Sequence, residues 1–152
     1  MLAIRIEIDF NVSLLEATGD IEVLPVAEIA FVDFPPGVPA LVGYEAKWET
    51  GSFAETHTVR RFPGGEDASL LERLRTLSRA VWRAFDLAGY ARVDVRLDEG
   101  GEPTILEVNT NPCLSADAGF MAAVRQAGYS AAEVVRRLLE AAARRRARAT
   151  GR

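Results

Sequence analysis

A single cysteine, Cys113, leaves the sequence without the means for an internal disulfide and fits a reducing compartment. Its plain reading is an inert buried thiol. Histidine is equally scarce: His57, in Glu55-Thr56-His57-Thr58, has no serine or cysteine nucleophile pattern beside it and reads as a loop residue. No apolar run approaches the roughly 18 residues that cross a bilayer, and Met1-Leu2-Ala3-Ile4-Arg5 has neither the apolar core nor the cleavage site of a signal peptide, so the expectation is a cytoplasmic protein with no membrane partner. Positive charge is not in excess either. The formal charge of −4 excludes a general nucleic-acid binder, and the basic stretch Arg144-Arg145-Arg146-Ala147-Arg148 reads as cations suited to the end of a helix.

What is present is apolar mass: 49% hydrophobic residues in a 152-residue chain suffice for one domain with a core that needs no covalent staple. Ile4 to Leu15 and Ile21 to Phe31 read as two strands around Thr18-Gly19-Asp20. Pro35-Pro36-Gly37 and Pro39 mark a loop, Ala40 to Lys47 suits a short strand, and Glu49 to Pro63 has no clean period. From Glu66 to Ala88 leucines and other apolar residues recur at helical spacing, with Gly89 placed to end the run. Ala91 to Asp98 and Thr104 to Thr110 read as a hairpin, Asp117 to Ala127 as a helix stopped at Gly128, and Ser130-Ala131-Ala132-Glu133 as a capping box opening a last helix. The order, without regular strand–helix alternation, predicts an α+β fold: an antiparallel sheet covered by helices on one side.

If Glu99 to Glu102 is the hairpin loop, Asp98 faces Pro103, and Val93, Val95 and Leu97 face Val108, Leu106 and Thr104 on a largely apolar side. The other side sets Arg92 opposite Asn109, Asp94 opposite Glu107 and Arg96 opposite Ile105. Two carboxylates about 5 Å apart at their Cβ atoms repel, so a positive group belongs between them. Two readings stay open. Asp94, Glu107 and Asn109 are hard oxygen donors that suit Mg²⁺, which takes a few carboxylates and completes its shell with water and phosphates. Alternatively, Arg92 and Arg96 neutralise the acids in a surface network. Glu28, in an apolar strand, either faces this site or pairs with an arginine; Trp48 and Trp82 read as core or interface aromatics.

The stretch Gly89 to Asp98, followed by Leu106-Glu107-Val108-Asn109-Thr110-Asn111-Pro112, resembles the R-x-D and E-x-N-x-x-P signatures of the D-alanine–D-alanine ligases and their ATP-grasp relatives. Tyr44-Glu45-Ala46-Lys47-Trp48 is similar to the family's Y-E-A-K-Y segment, and Asp9-Phe10-Asn11-Val12 to its acidic-aromatic strand. The resemblance covers nearly the whole chain and implies the C-terminal lobe of the ATP-grasp fold over residues 1–144, with a basic tail at 145–152. It implies ATP and Mg²⁺ as cofactors, with Mn²⁺ an alternative. Asp94, Glu107 and Asn109 become metal ligands, Lys47 a lysine near the ATP phosphates, Asp9 a ribose-binding acid, and Arg92 the arginine that stabilises a charged intermediate. The reaction implied is amide formation: a carboxylate attacks the γ-phosphate to give an acyl-phosphate, and an amine displaces phosphate.

This sequence departs from the family pattern at Cys113 and Ala118, where members acting on D-alanyl substrates usually carry Gly and Ser. The resemblance also begins mid-fold, without the lobe bearing the glycine-rich loop, and Gly64-Gly65 and Gly100-Gly101 are ordinary turn pairs that do not replace it. The expectation is therefore the ATP- and Mg-binding portion of a carboxylate–amine ligase, silent as the isolated chain. Its implied partners are ATP and a small carboxylate or amine substrate, together with a missing-lobe chain or a second copy. The rivals are a non-catalytic interaction module, one piece of a split enzyme, and a ligand-free α+β domain.

Overall fold

The computed structural model describes residues 8–17, 20–31, 58–98 and 100–150. Strand β1 (Ile8–Glu16) arises from alternation: Phe10, Val12 and Leu14 are buried on one face, while Asp9, Asn11 and Ser13 take the other. The run expected from Ile21 to Phe31 is two strands, β2 (Ile21–Val23) and β3 (Ala27–Phe31). Pro25 stands between them, where its missing N–H would break a ladder. Strand β4 (Thr58–Arg61) leads through a single 3₁₀ turn, Gly65–Asp67, into α1 (Ala68–Ala84). The expected hairpin follows as β5 (Tyr90–Leu97) and β6 (Pro103–Asn109), then α2 (Gly119–Gln126) and α3 (Ala131–Thr150). The strand expected over 40–47 lies outside the described residues.

Among the described residues the strands form one antiparallel sheet in the order β4-β3-β1-β5-β6, with β2 alongside β1. Helix α1 lays Leu71, Leu74, Val81 and Trp82 on the face carrying Phe10, Val12, Val93 and Val95. A second cluster joins Leu15 and Tyr90, which point the opposite way, to Phe120, Val124 and Val134 of α2 and α3. Helices therefore cover both faces, not one as expected; Leu14 and Leu15, adjacent and both fully buried, show why. Beyond α2 and α3 the second face is polar, and it carries Asp9, Asn11, Asp94 and Arg96.

The helix ends differ from each other. Gly128 (φ 83°) closes α2 as expected: its N–H bonds to the Arg125 carbonyl at 2.9 Å and that of Tyr129 to the Val124 carbonyl at 3.0 Å. Helix α1 stops earlier than Gly89 predicts. Asp86 adopts the left-handed conformation (φ 48°) and its N–H and that of Leu87 bond to the Arg83 and Trp82 carbonyls, so an aspartate supplies the same closing motif.

Helix α3 is capped by Ser130, whose Oγ accepts the Glu133 N–H at 3.2 Å. The Glu133 side chain binds Arg136 and Arg137 instead of reaching back, and their hydrogen bonds hold its carboxyl down at about 2. Only the serine half of the capping box is thus realised, and Ser130→Ala should cost about 1 kcal/mol in urea unfolding. The basic segment continues α3 to Thr150, and Arg145 pairs with Glu16 at the end of β1. No described helix is long and apolar enough to cross a membrane.

Candidate functional site

The acids meet. Arg92 lies opposite Asn109, Val93 opposite Val108 and Asp94 opposite Glu107, the register that turn length and side-chain alternation predict. Nearer the hairpin tip the pairing differs: Val95 faces Ile105, Arg96 faces Thr104 and Leu97 faces Pro103, with Leu106 extruded in a bulge. The cause is the turn, because Asp98 belongs to the loop. Its Oδ1 accepts the N–H groups of Gly100 (2.8 Å) and Glu102 (2.9 Å), and its own N–H bonds to the Glu102 carbonyl at 2.9 Å.

The positive group demanded between Asp94 and Glu107 is Arg92. Its Nε and Nη2 each donate to one oxygen of Asp94 at 2.7 Å, a two-pronged pair, and Asn11 donates to Asp94 Oδ1 at 3.0 Å. Burial opposes the charge of Arg92 most, but the Asp94 hydrogen bonds and the charges of Asp94 and Glu107 together raise its proton affinity above the ordinary arginine value. Asn109 Oδ1 accepts the Asn111 N–H at 3.0 Å, and Asn111 Oδ1 accepts the Tyr90 hydroxyl at 2.6 Å, fixing the turn after β6. Asp9 is buried and its two oxygens are gripped by Arg96 at 2.7 and 3.0 Å. Lys47, with the rest of Tyr44 to Trp48, and His57 lie outside the described residues.

Two acids and one amide, all oxygen donors, fit the chemistry of a hard divalent cation. Among the described residues no group of three or more His, Cys, Asp or Glu side chains comes together, so the amide of Asn109 would be needed. Glu107 is exposed with no hydrogen bond or ion pair to a described residue, whereas Asp94 would have to be shared with Arg92.

Other residues fall differently from expectation. Glu28 faces away from the site, opposite Phe10 in the register, and accepts from Arg61 at 2.9 and 2.5 Å. Trp82 is in the core as read. Cys113 is exposed rather than buried; its sulfur lies 2.6 Å from Ser115 Oγ, and that hydrogen bond lowers the thiol's proton affinity below the usual range. Arg60 and Arg125 gave no sequence signal. Arg60, on β4, reaches across to the start of α2, where a Cβ on Gly119 would sit 3.4 Å from its Nη2. Desolvation first, then repulsion from Arg92 and Arg125, depress its proton affinity, against an opposing pull from Asp117.

Residues 3–140 match the family described as D-ala D-ala ligase C-terminus. Uncharacterized protein y4sG of Sinorhizobium fredii is 33% identical over 137 residues, covering 90% of this chain and 38% of that protein. The fold is also that of the D-alanine–D-alanine ligase from Bacillus anthracis (24% identity, TM-score 0.69), with 96% of this chain and 42% of that one aligned. The D-alanine–D-alanine ligase from Coxiella burnetii aligns at 15% identity and a TM-score of 0.70, over 99% of this chain and 35% of that one. A second Bacillus anthracis structure, described as complexed with ATP, aligns at 22% identity and a TM-score of 0.66, over 96% of this chain and 40% of that one. The chain thus spans less than half the length of each of these relatives.

Proposed function

Because the chain belongs to the D-ala D-ala ligase C-terminus family, we propose that it is the ATP- and Mg²⁺-binding portion of an ATP-dependent carboxylate–amine ligase, forming an amide through an acyl-phosphate. The observation that carries this reading is the register: Asp94 and Glu107 are directly opposed, with Asn109 two residues further along the same face. Asp94, Glu107 and Asn109 would hold Mg²⁺, or Mn²⁺, which when bound supplies neutralisation of phosphate charge. Arg92 is the catalytic candidate. Anchored through Nε and Nη2 by Asp94, its cation is held in place before a substrate arrives, which is what stabilising a developing negative charge requires. Lys47 and Asp9 complete the nucleotide side of this reading, a ribose hydroxyl having to share Asp9 with Arg96. A cytoplasmic setting, where ATP is abundant, goes with it.

Since the chain spans less than half of its relatives, turnover is assigned to it together with the remainder of such an enzyme, and the 152-residue chain alone should be silent. The direct test is the thermal midpoint with and without Mg²⁺ plus ADP. At a hundredfold excess over Kd, a ligand bound only by the native state adds about 2.7 kcal/mol, or roughly 5–10 °C for a domain of this size. Asp94→Asn should lose the rise. No rise in the parent, or the same rise in the variant, would sink the reading.

A second reading, an interaction module or one piece of a split enzyme, is favoured by one observation. The outer strand β6 shows Ile105 and Leu106 to solvent, 39% and 50% exposed. A monomer whose sedimentation is independent of concentration would count against self-association.

A further inference from the structure

One row runs across three strands of the polar face: Asn11 of β1 lies opposite Asp94 of β5, which lies opposite Glu107 of β6. The Asp94 carboxylate thus has a neutral amide on one side and a second acid on the other. Its donors can be counted. Oδ1 accepts Arg92 Nε at 2.7 Å and Asn11 Nδ2 at 3.0 Å, while Oδ2 accepts Arg92 Nη2 at 2.7 Å. Each carboxylate oxygen offers a pair of acceptor sites, so among the described residues Oδ1 is filled and Oδ2 keeps one site open. The side chain is only 15% exposed, and donors from two strands fix the plane in which the group lies.

The residue type at position 11 matters as much as its place. Arg92 supplies one cation against the two acids Asp94 and Glu107, and an arginine or lysine at position 11 would cancel the charge that remains. A carboxylate there would repel Asp94. An amide donates without adding charge, so it holds Asp94 and leaves it anionic. It also takes the acceptor site that a cation would need in order to be chelated by both Asp94 oxygens. Ca²⁺ gathers about 6–8 oxygens and readily accepts a carboxylate through both of them, whereas Mg²⁺ demands a tight octahedron and keeps water in it. We propose that Asn11 is a positioning residue: by filling Oδ1 it leaves a divalent cation only the open site of Oδ2, and so favours Mg²⁺ or Mn²⁺ over Ca²⁺ beside Glu107. This rests on the ligase reading and deepens it, because Asp94, Glu107 and Asn109 are hard oxygen donors that by type suit either cation.

The test uses the 152-residue chain. Thermal midpoints of the parent and of Asn11→Leu, which keeps the volume and loses the donor, are followed through titrations with Mg²⁺ and with Ca²⁺ at saturating ADP. Comparing the two proteins cancels the nucleotide's own preference between the cations. The variant should bind Mg²⁺ about tenfold more weakly, while Ca²⁺ binding holds or gains. Equal changes for both cations would make Asn11 a merely structural residue and overturn the proposal, with the ligase reading intact. A parent that shows no rise with either cation removes the ligase reading, and the cation preference falls with it. A second measurement needs no metal: by NMR, one proton of the Asn11 side-chain amide should exchange slowly with water in the parent, and fast exchange of both would overturn the contact itself. The midpoint without ligand shows whether Asn11→Leu folds; if it does not, Asn11→Ala decides.

Discussion

Phe120→Ala should destabilise the domain by about 3–5 kcal/mol, read as the loss in urea unfolding free energy at unchanged slope. Phe120 is fully buried at the start of α2, and its ring meets that of Tyr90 edge-on, with centroids 5.3 Å apart and planes at 69°. Its neighbours Leu15, Leu24, Val124 and Val134 come from separate elements. Collapse into the vacated volume would require α2, α3 and the sheet to move together, so most of the cavity should persist. Phe120 also anchors the start of α2, where its neighbour Gly119 lies against the Arg60 side chain. Phe120→Leu, retaining most of the volume, should cost about 1–2 kcal/mol. A loss below about 1 kcal/mol for the alanine variant would mean that α2 is not packed as described.

The second large effect is electrostatic. Arg96→Ala strips the fork from Asp9, whose side chain is 8% exposed, and leaves a carboxylate without the bonds that offset its burial. Removing one partner of such a pair costs about 3–5 kcal/mol, most of it the penalty for the orphaned charge. Adding Asp9→Asn should therefore recover much of the loss, giving a coupling energy of at least about 1 kcal/mol in the double-mutant cycle. Additive effects would show that the pair is solvated and that the fork contributes little. The result also bears on the nucleotide reading, since a ribose at Asp9 would have to be bound without giving up this anchor.

Sequence reasoning reached the site and missed its surroundings, for identifiable reasons. The pairing of Asp94 with Glu107 appears where alternation and a four-residue loop place it, but only because the bulge at Leu106 restores the register that the longer turn, with Leu97 opposite Pro103, would have shifted. The bulge does not follow, because Ile105 and Leu106 are adjacent apolar residues and a period of two cannot tell which one is extruded. Asp86 closes α1 where Gly89 was the conventional candidate, a choice made by backbone hydrogen bonds to Arg83 and Trp82 rather than by residue type. Coverage of both faces was legible only in the adjacent pair Leu14-Leu15, because Ser13 keeps the alternation of a one-sided strand up to that point. Arg96 owes its role to Asp9, 87 residues away, so no window around it announces that role. The exposure of Cys113 likewise depends on the path between β6 and α2.

The extruded Leu106 separates the hairpin into two stretches of different register. Toward the sheet interior, β5 is aligned by seven residue partners on β1, from Asp9 with Arg96 to Leu15 with Tyr90, so the acid pair is clamped from that side. Toward the tip, one residue of slack has already been absorbed without rotating Asp94 or Glu107 out of opposition. The turn itself is fixed, Gly101 by its left-handed backbone (φ 78°) and Glu102 by Arg73 at 2.6 Å, so the bulge, and not the tip, is where the hairpin takes up a change of length without reindexing the strands that build the site.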